Sequence, residues 1–293
     1  MKFRDGVLAA LTSVIWGIGF VAIKLGLLSF SAPQLTALRF LLAALPVFLV
    51  PRPKIAWPRL VAIGLTLFTG QFLLLFFAIS AGLPAGLASV TQQTQAFFTV
   101  LLAAVFLREM PSVGQCAGMS IAFTGLALIG ATVGADLRPI ALGLALGGAF
   151  SWAVGNILVK RSVEVPVLSL VVWASLVPPL PALIVSGLWG GHPSLPAALA
   201  GASWLSIGCA AYLGAFATVL AYAIWGDLLQ RYSAARVAPF ALLTPCTGVV
   251  SSALVFGEVF SPVRYLGMAL ILAGLTVIVF PEAPWNVPPN PAG

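Results

Sequence analysis

Long apolar segments alternate with short polar connections along the whole chain. A membrane-spanning helix needs about 20 apolar residues in succession, and ten segments approach or reach that length. The pattern therefore predicts ten membrane-spanning helices. They lie roughly at 6–24, 33–50, 59–79, 84–107, 113–132, 139–159, 166–187, 203–226, 234–256 and 262–280. Because these segments take up most of the chain, any function must reside in the helical bundle.

The composition agrees with this pattern, since 61% of the residues are hydrophobic and 7% are charged, which is typical of an integral membrane protein. Cys116, Cys209 and Cys246 all fall inside predicted helices, so we expect packing residues and no disulfide framework. The basic start followed by an apolar run resembles a signal peptide. The run continues to Lys24 without a cleavage pattern, however, which favours a retained first helix.

The basic residues are distributed unevenly between the two sides of the predicted bundle. Lysine and arginine are enriched in cytoplasmic loops, and the distribution predicts that both termini are cytoplasmic. The cytoplasmic segments would then hold Lys2, Arg4, Arg52, Lys54, Arg59, Arg108, Lys160, Arg161, Arg231 and Arg236, against Lys24, Arg138 and Arg264 on the opposite side. The net charge of +7 is dispersed over short loops, so a nucleic-acid partner is not expected.

Two pairs of similar segments recur in the same order. WGIGFVAIK, which begins at Trp16, matches WAVGNILVK at an offset of 136 residues. EMPSVGQCAGMSIAFTGLAL, which begins at Glu109, matches EVFSPVRYLGMALILAGLTV at an offset of 149 residues. Two matches in one order indicate an internal duplication.

The duplication predicts a first five-helix repeat at 1–135, a second at 136–281, and a short cytoplasmic tail at 282–293. Five is an odd number, so the second repeat must cross the membrane in the opposite sense. The predicted fold class is thus an all-α integral membrane protein with ten transmembrane helices in two inverted five-helix repeats. Such repeats underlie many secondary transporters; the alternative is a duplication retained only for packing.

The duplicated segments also carry a family resemblance. The patterns WGIGFVAIK and LRF in the first two helices, PAGLAS at the start of the fourth, and the REM and GEV glutamates before Gly-rich helices resemble the drug/metabolite transporter superfamily. The chain is most similar to the EamA-type branch, over nearly its whole length. The resemblance implies a bacterial inner-membrane exporter of amino acids or related small metabolites, with aromatic amino acids and cysteine precursors among the substrates. It also implies a bundle of five plus five helices around a central cavity.

Five consecutive polar residues, 91–95, interrupt the fourth apolar segment. At about 100° per residue they encircle the helix, so that helix must be surrounded by protein or border a cavity. At the offset of 149 only the last position remains polar, as Thr244. The loss suggests that Gln92, Gln93 and Gln95 bind a ligand, and the alternative is hydrogen bonding between helices.

Other polar and aromatic residues at mid-depth complete the predicted substrate site, in which rings cover an apolar side chain and polar groups hold the amino-acid backbone. These residues are Trp16, Gln71, Trp152, Asn156, Tyr212, Tyr222 and Thr244. Arg39 lies about two turns into the second helix, where a charge is costly. It is predicted either to contact substrate or to form a structural pair.

Charges and prolines near helix ends form a second group of candidates. Lys24 and Lys160 are repeat counterparts at opposite mouths, where each either attracts a substrate carboxylate or extends to the headgroups. Glu109 and Glu258 are predicted to have a structural role, in which they satisfy helix ends or pair with a neighbouring arginine; the alternative is that they bind substrate. Matched kinks suit a rocking motion, so the predicted hinges are Pro46 in the second helix and Pro178, Pro179 and Pro181 in the seventh.

The acidic residues and His192 lie near segment ends or in loops, which predicts a facilitator or exchanger without an obligatory proton relay. No metal or cofactor is expected, because no metal-ligand cluster, activated serine or phosphate loop is present. The same absence argues against an enzyme. The expected partners are a small-molecule substrate and the lipid bilayer, and the protein is expected to be a monomer or homodimer. The alternative function is a channel or facilitator for another metabolite, such as a sugar-nucleotide or a lipid-like compound.

Overall fold

The protein is a bundle of helices in a computed structural model that describes residues 2–108, 110–132, 137–161, 165–188, 193–232, 237 and 240–279. No β-strand occurs in these ranges. Within these ranges the principal helices are α1 Phe3–Gly26, α2 Ala32–Ala44, α3 Trp57–Ser80, α4 Ala85–Leu107, α5 Val113–Gly130, α6 Pro139–Lys160, α7 Val167–Leu188, α8 Trp204–Arg231, α9 Leu243–Phe256 and α10 Pro262–Val279. A short helix, Leu195–Gly201, precedes α8.

Seven of the described helices, α1 and α3–α8, are long and apolar enough to cross a membrane. Three further apolar helices are shorter: Ala32–Phe48, which joins α2 to a 3₁₀ turn, Leu243–Phe256 and Pro262–Val277. The sequence-based prediction of an all-α, multi-pass membrane protein is therefore confirmed at this level. Predicted and observed helices agree closely in position.

Helix ends follow local sequence signals. Ser31 and Ser112 form capping boxes with the glutamine three residues later, and so satisfy free N–H groups at the starts of α2 and α5. At the other end, Arg108 after α4 and Gly257 after α9 have left-handed backbones, with φ of 57° and 65°. These two stops lie 149 residues apart.

Two helices contain a π-turn, a wider turn that is frequent at functional sites. One spans Gly64–Gly70 in α3 and the other spans Tyr212–Leu220 in α8. In each, a threonine hydroxyl donates to the carbonyl oxygen five residues earlier: Thr69 to Gly64 at 3.1 Å and Thr218 to Leu213 at 2.8 Å. The threonines are again 149 residues apart.

Other helices are interrupted. α4 consists of Ala85–Thr91 and Thr94–Leu107, with a turn at 92–93 between them. A turn at Leu242 immediately precedes α9. α7 is broken between Ala174 and Pro179.

Glycines allow the closest helix contact. α5 packs against α10 more extensively than any other described pair. A Cβ added at Gly125 would lie 2.5 Å from the carbonyl oxygen of Gly267, and one added at Gly274 would collide with that of Gly118. Small residues permit such backbone approach in membrane helices. α1 packs against both α8 and α9, and α3 packs mainly against α6.

Candidate functional site

A cavity of about 280 Å³ lies inside the bundle, between α1, α2, α3, α4, α6, α8 and α9. This volume is at the small end of the range for ligand pockets. The lining is mostly aromatic and aliphatic, with a few polar side chains. It consists of Trp16, Gly19, Phe20, Ile23, Arg39, Phe72, Gln93, Gln95, Trp152, Ala217, Tyr222, Trp225, Ala241 and Thr244.

Arg39 supplies the charge among the described lining residues. Its side chain projects from α2 and is buried, with 3% of its surface exposed. Its Nε donates to the hydroxyl of Thr218 at 3.0 Å, and its guanidinium lies 3.8 Å from the centre of the Phe72 ring. The ion pairs within the described ranges join other residues, so Arg39 has no carboxylate partner there.

Aromatic rings form the walls around this cation. Trp16 donates from Nε1 to the carbonyl oxygen of Ala217 at 3.0 Å, which fixes its ring orientation. Its ring centre lies 5.3 Å from that of Tyr222 and 5.2 Å from that of Trp225. Because these contacts constrain the rings, the apolar wall is preorganised.

Two buried oxygen atoms in the cavity lining lack a hydrogen-bond partner among the described residues. They are Oε1 of Gln95, in the first turn of the second segment of α4, and Oγ1 of Thr244, in the first turn of α9. Thr244 is 9% exposed. Unpaired buried polar groups are rare and call for an explanation.

Seven of the eleven predicted substrate-site residues thus line the cavity: Trp16, Arg39, Gln93, Gln95, Trp152, Tyr222 and Thr244. The other four, Gln71, Gln92, Asn156 and Tyr212, are not among the residues that line the cavity. Gln92 donates to the carbonyl oxygen of Ala145 on α6 at 3.1 Å, and Gln71 donates to Gln92 at 3.5 Å. Gln92 therefore makes the contact between helices that was the alternative to ligand binding.

The remaining two predicted residues also have structural partners outside the cavity lining. Asn156 donates to the hydroxyl of Thr99 at 3.2 Å, which ties α6 to α4. Tyr212 donates to the carbonyl oxygen of Ile15 at 2.7 Å, and its ring stacks on that of Phe216. The side chains of Asn156 and Tyr212 thus contact neighbouring helices and are not among the residues that line the cavity.

Sequence reasoning also missed several apolar lining residues. Gly19, Phe20 and Ile23 follow Trp16 at helical spacing, and Trp225 follows Tyr222 by three residues. Positions three, four and seven apart share one helix face. Extending the face of each predicted aromatic along its helix would have identified them. Phe72 and Ala217 have no comparable signal.

At one end of the bundle, Lys24 pairs with Glu258 at 2.7 Å. The Glu258 carboxylate also accepts from the N–H groups of Ala85 and Gly86, each at 3.0 Å, and from the hydroxyl of Ser252. Burial acts to raise the pKa of Glu258, but these hydrogen bonds outweigh it and hold the pKa below its ordinary value of 4.5. Glu258 thus satisfies the start of α4, as expected.

The other mouth and hinge candidates lie in varied places. Lys160 ends α6, and Glu109, which was predicted to satisfy a helix end or pair with an arginine, lies outside the described residues. Pro46 lies in the 3₁₀ turn Leu45–Phe48 that follows α2. Pro178 lies in the break of α7, and Pro179 and Pro181 lie in the helical segment after it. The described residues contain no cluster of three His, Cys, Asp or Glu side chains that could hold a metal.

The fold is that of a multi-pass helical membrane protein with a cavity between its helices. The profile of the EamA-like transporter family matches residues 5–131 and 139–280. The chain belongs to the EamA-like transporter family, and the resemblance seen in its sequence is confirmed.

Several known proteins are similar over nearly the whole chain. A "Probable amino-acid metabolite efflux pump" of Salmonella typhimurium is 44% identical over 287 residues, which is 96% of either chain. A protein with the same description from Escherichia coli K12 is 42% identical over 287 residues, again 96% of either chain. A "Probable terminal-alkyne amino-acid exporter" of Streptantibioticus cattleyicolor is 29% identical over 95% of this chain and 94% of its own. One crystal structure superposes with a TM-score of 0.65 at 18% identity, over 95% of this chain and 99% of that one, and supports the fold alone.

Proposed function

We propose that this protein exports amino acids or related small metabolites across the bacterial inner membrane by alternating access. The observation that carries the proposal is the buried Arg39 guanidinium, which faces an aromatic-walled cavity and has no carboxylate partner among the described residues. Two relatives at 42% and 44% identity, described as amino-acid metabolite efflux pumps, support the same substrate class and direction.

The charge of Arg39 favours a ligand that carries a carboxylate. A buried cation is stable only when it is paired and hydrogen-bonded. Thr218 and the Phe72 ring occupy part of the guanidinium, but neither neutralises it. Because arginine donates two parallel hydrogen bonds to a carboxylate, an amino-acid carboxylate fits the remaining donors.

The aromatic walls and the cavity volume favour a small ligand with an apolar part. Trp16, Trp152, Tyr222 and Trp225 supply flat apolar surface. A volume of about 280 Å³ suits an amino acid better than the alternative substrates, a sugar-nucleotide or a lipid-like compound, which are larger. The lining groups and the family membership favour transport over an enzyme-catalysed reaction.

Alternating access follows if the chain is two inverted five-helix repeats, with units at 1–135 and 136–281 and a tail at 282–293. The double match of the family profile supports this division. So do the features that recur 149 residues apart: the π-turn threonines and the left-handed stops at Arg108 and Gly257. The glycine contacts support it further, because Gly125 meets Gly267 while their counterparts Gly274 and Gly118 meet each other.

In this scheme each mouth closes in turn. The Lys24–Glu258 pair ties α1 to the connection before α10, and the carboxylate binds the start of α4. The Lys24–Glu258 ion pair would hold the periplasmic side of the bundle closed. Lys160, the repeat counterpart of Lys24, would have the equivalent role on the cytoplasmic side. The interruptions beside Pro46 and in α7 at Pro178 would serve as hinges. Both termini are cytoplasmic in this arrangement, as the basic residues predict.

Counterflow of labelled amino acids in proteoliposomes tests the proposal. We expect saturable counterflow for at least one amino acid, with an affinity that falls by about tenfold or more in Arg39→Gln, because a charge-assisted hydrogen bond is lost. Arg39→Lys should retain more affinity than Arg39→Gln. Arg52→Gln, in the connection between α2 and α3, is the control and should behave as wild type. No counterflow for any amino acid would contradict the proposal, and flux without saturation would favour a channel.

A further inference from the structure

The two partnerless oxygen atoms in the cavity, Oε1 of Gln95 and Oγ1 of Thr244, lie on different helices but at equivalent sequence positions. They are 149 residues apart, the same offset that relates the π-turns and the helix stops. Each follows the local interruption of its helix, at 92–93 in α4 and at Leu242 before α9. At this shared position, two related helix turns each contribute to the lining of one cavity a residue whose side-chain oxygen is buried and unpaired.

At the neighbouring positions, the polar residues of the first half are replaced by apolar residues in the second half. Thr91, Gln92, Gln93 and Thr94 correspond to apolar residues in the second half, whereas Gln95 corresponds to Thr244. In the first half, the threonine hydroxyls at 91 and 94 bond to their own helix and Gln92 bonds to α6. Those side chains have partners in the protein, and Gln95 and Thr244 do not within the described ranges.

The amide oxygen of Gln95 can only accept a hydrogen bond, whereas the hydroxyl of Thr244 can accept or donate. A carboxylate has no N–H or O–H donor, so a carboxylate bound at Arg39 leaves Oε1 of Gln95 unsatisfied. An ammonium group has three N–H donors and no acceptor, and it also interacts favourably with the faces of aromatic rings. Tryptophan and tyrosine rings line the same cavity.

We propose that Oε1 of Gln95 and Oγ1 of Thr244 accept hydrogen bonds from the amino group of a zwitterionic α-amino acid whose carboxylate is bound by Arg39. This inference rests on the proposed function and adds the group that selects amino acids over simple carboxylic acids. The two residues are 149 positions apart, so one residue of each half would contact the amino group.

Binding of three related probes to the purified full-length protein tests this assignment by calorimetry. L-Phenylalanine carries both charged groups, hydrocinnamate lacks the amino group and phenethylamine lacks the carboxylate. Wild-type protein should bind L-phenylalanine most tightly. Gln95→Leu and Thr244→Val should each weaken L-phenylalanine binding by about tenfold and leave hydrocinnamate binding within twofold of wild type.

Further variants separate recognition from folding. Thr244→Ser keeps the hydroxyl and should restore L-phenylalanine affinity. Thr247→Val, one turn further along α9, makes the same isosteric change at a hydroxyl that donates to its own helix, and should bind all three probes as wild type does. Arg39→Gln should weaken L-phenylalanine and hydrocinnamate but not phenethylamine.

The outcomes distinguish the two proposals. If Gln95→Leu and Thr244→Val weaken L-phenylalanine and hydrocinnamate equally, or weaken neither, the amino-group assignment is overturned while a carboxylate site at Arg39 stands. If wild-type protein binds none of the probes, or if Arg39→Gln leaves hydrocinnamate binding unchanged, the carboxylate site at Arg39 is overturned together with the amino-group assignment, whereas the proposed function itself fails only if no amino acid shows counterflow.

Discussion

Arg39 is held by Thr218: its Nε donates to the threonine hydroxyl at 3.0 Å, and that hydroxyl donates in turn across the π-turn of α8 to Leu213 at 2.8 Å. Thr69 makes the equivalent bond across the π-turn of α3 to Gly64. Its hydroxyl has no arginine donor in the described structure. Both threonines therefore make the same bond across a π-turn, but only Thr218 also contacts Arg39 in the candidate site.

Substitution of Thr218 should weaken substrate affinity through Arg39. Thr218→Val removes the acceptor that orients the guanidinium, so we expect the affinity for a transported amino acid to fall by about three- to tenfold. Thr218→Ser should restore it. Thr69→Val is the matched control and should leave affinity unchanged, although it loses the same bond across a π-turn. Equal losses of affinity in both valine variants would mean that the π-turn itself, and not the position of Arg39, is responsible.

The Glu258 carboxylate should stabilise the protein, because it accepts from Lys24 and from the N–H groups of Ala85 and Gly86. Glu258→Gln loses the charge and should lower the free energy of unfolding by about 2 kcal/mol, measured by thermal unfolding in detergent. Asp227→Asn, at an exposed carboxylate, should have little effect.

The same carboxylate makes stability depend on pH. The folded pKa of Glu258 lies below its ordinary value, so its stabilising contribution is complete at neutral pH and is lost as the pH falls through that lowered pKa. Unfolding temperatures measured from neutral to acidic pH should therefore converge between wild type and Glu258→Gln. A constant difference between them at every pH would contradict this explanation.

A methyl group added at the contact between α5 and α10 should destabilise the protein. Gly125→Ala places a Cβ 2.5 Å from the carbonyl oxygen of Gly267, so the helices must separate, at a cost of about 1–3 kcal/mol. Gly130→Ala in the same helix meets open space and should be neutral or slightly stabilising. Unfolding temperatures of the two variants in detergent would test this, and equal values would argue against close glycine packing.

Adjacent glutamines of α4 should have different effects. Gln92 donates to Ala145 on α6 and lies behind the wall, whereas Gln93 lines the cavity. Gln92→Leu should lower the unfolding temperature and leave the affinity of the remaining folded protein unchanged. Gln93→Leu should reduce affinity with little effect on unfolding. The reverse pattern would mean that the cavity extends past Gln92.

The sequence predicted the helices well because a membrane helix must satisfy its own backbone hydrogen bonds, which makes apolar length a direct signal. It also pointed to residues such as Gln95 and Trp152, which line the cavity. It did not predict rotation about each helix axis: Tyr212 and Asn156 turn towards neighbouring helices. The π-turns explain part of this error, since the wider turn in Tyr212–Leu220 shifts the face from that expected for a regular helix.

The paired interruptions of α4 and α9 separate the shape of a helix from the chemistry of its side chains. A turn is present at 92–93 and again at Leu242, although glutamines occur only at the first. The turn therefore forms with polar side chains in one half and with apolar side chains in the other. Replacement of the glutamines would accordingly change which groups surround the cavity while the turn that positions them remains.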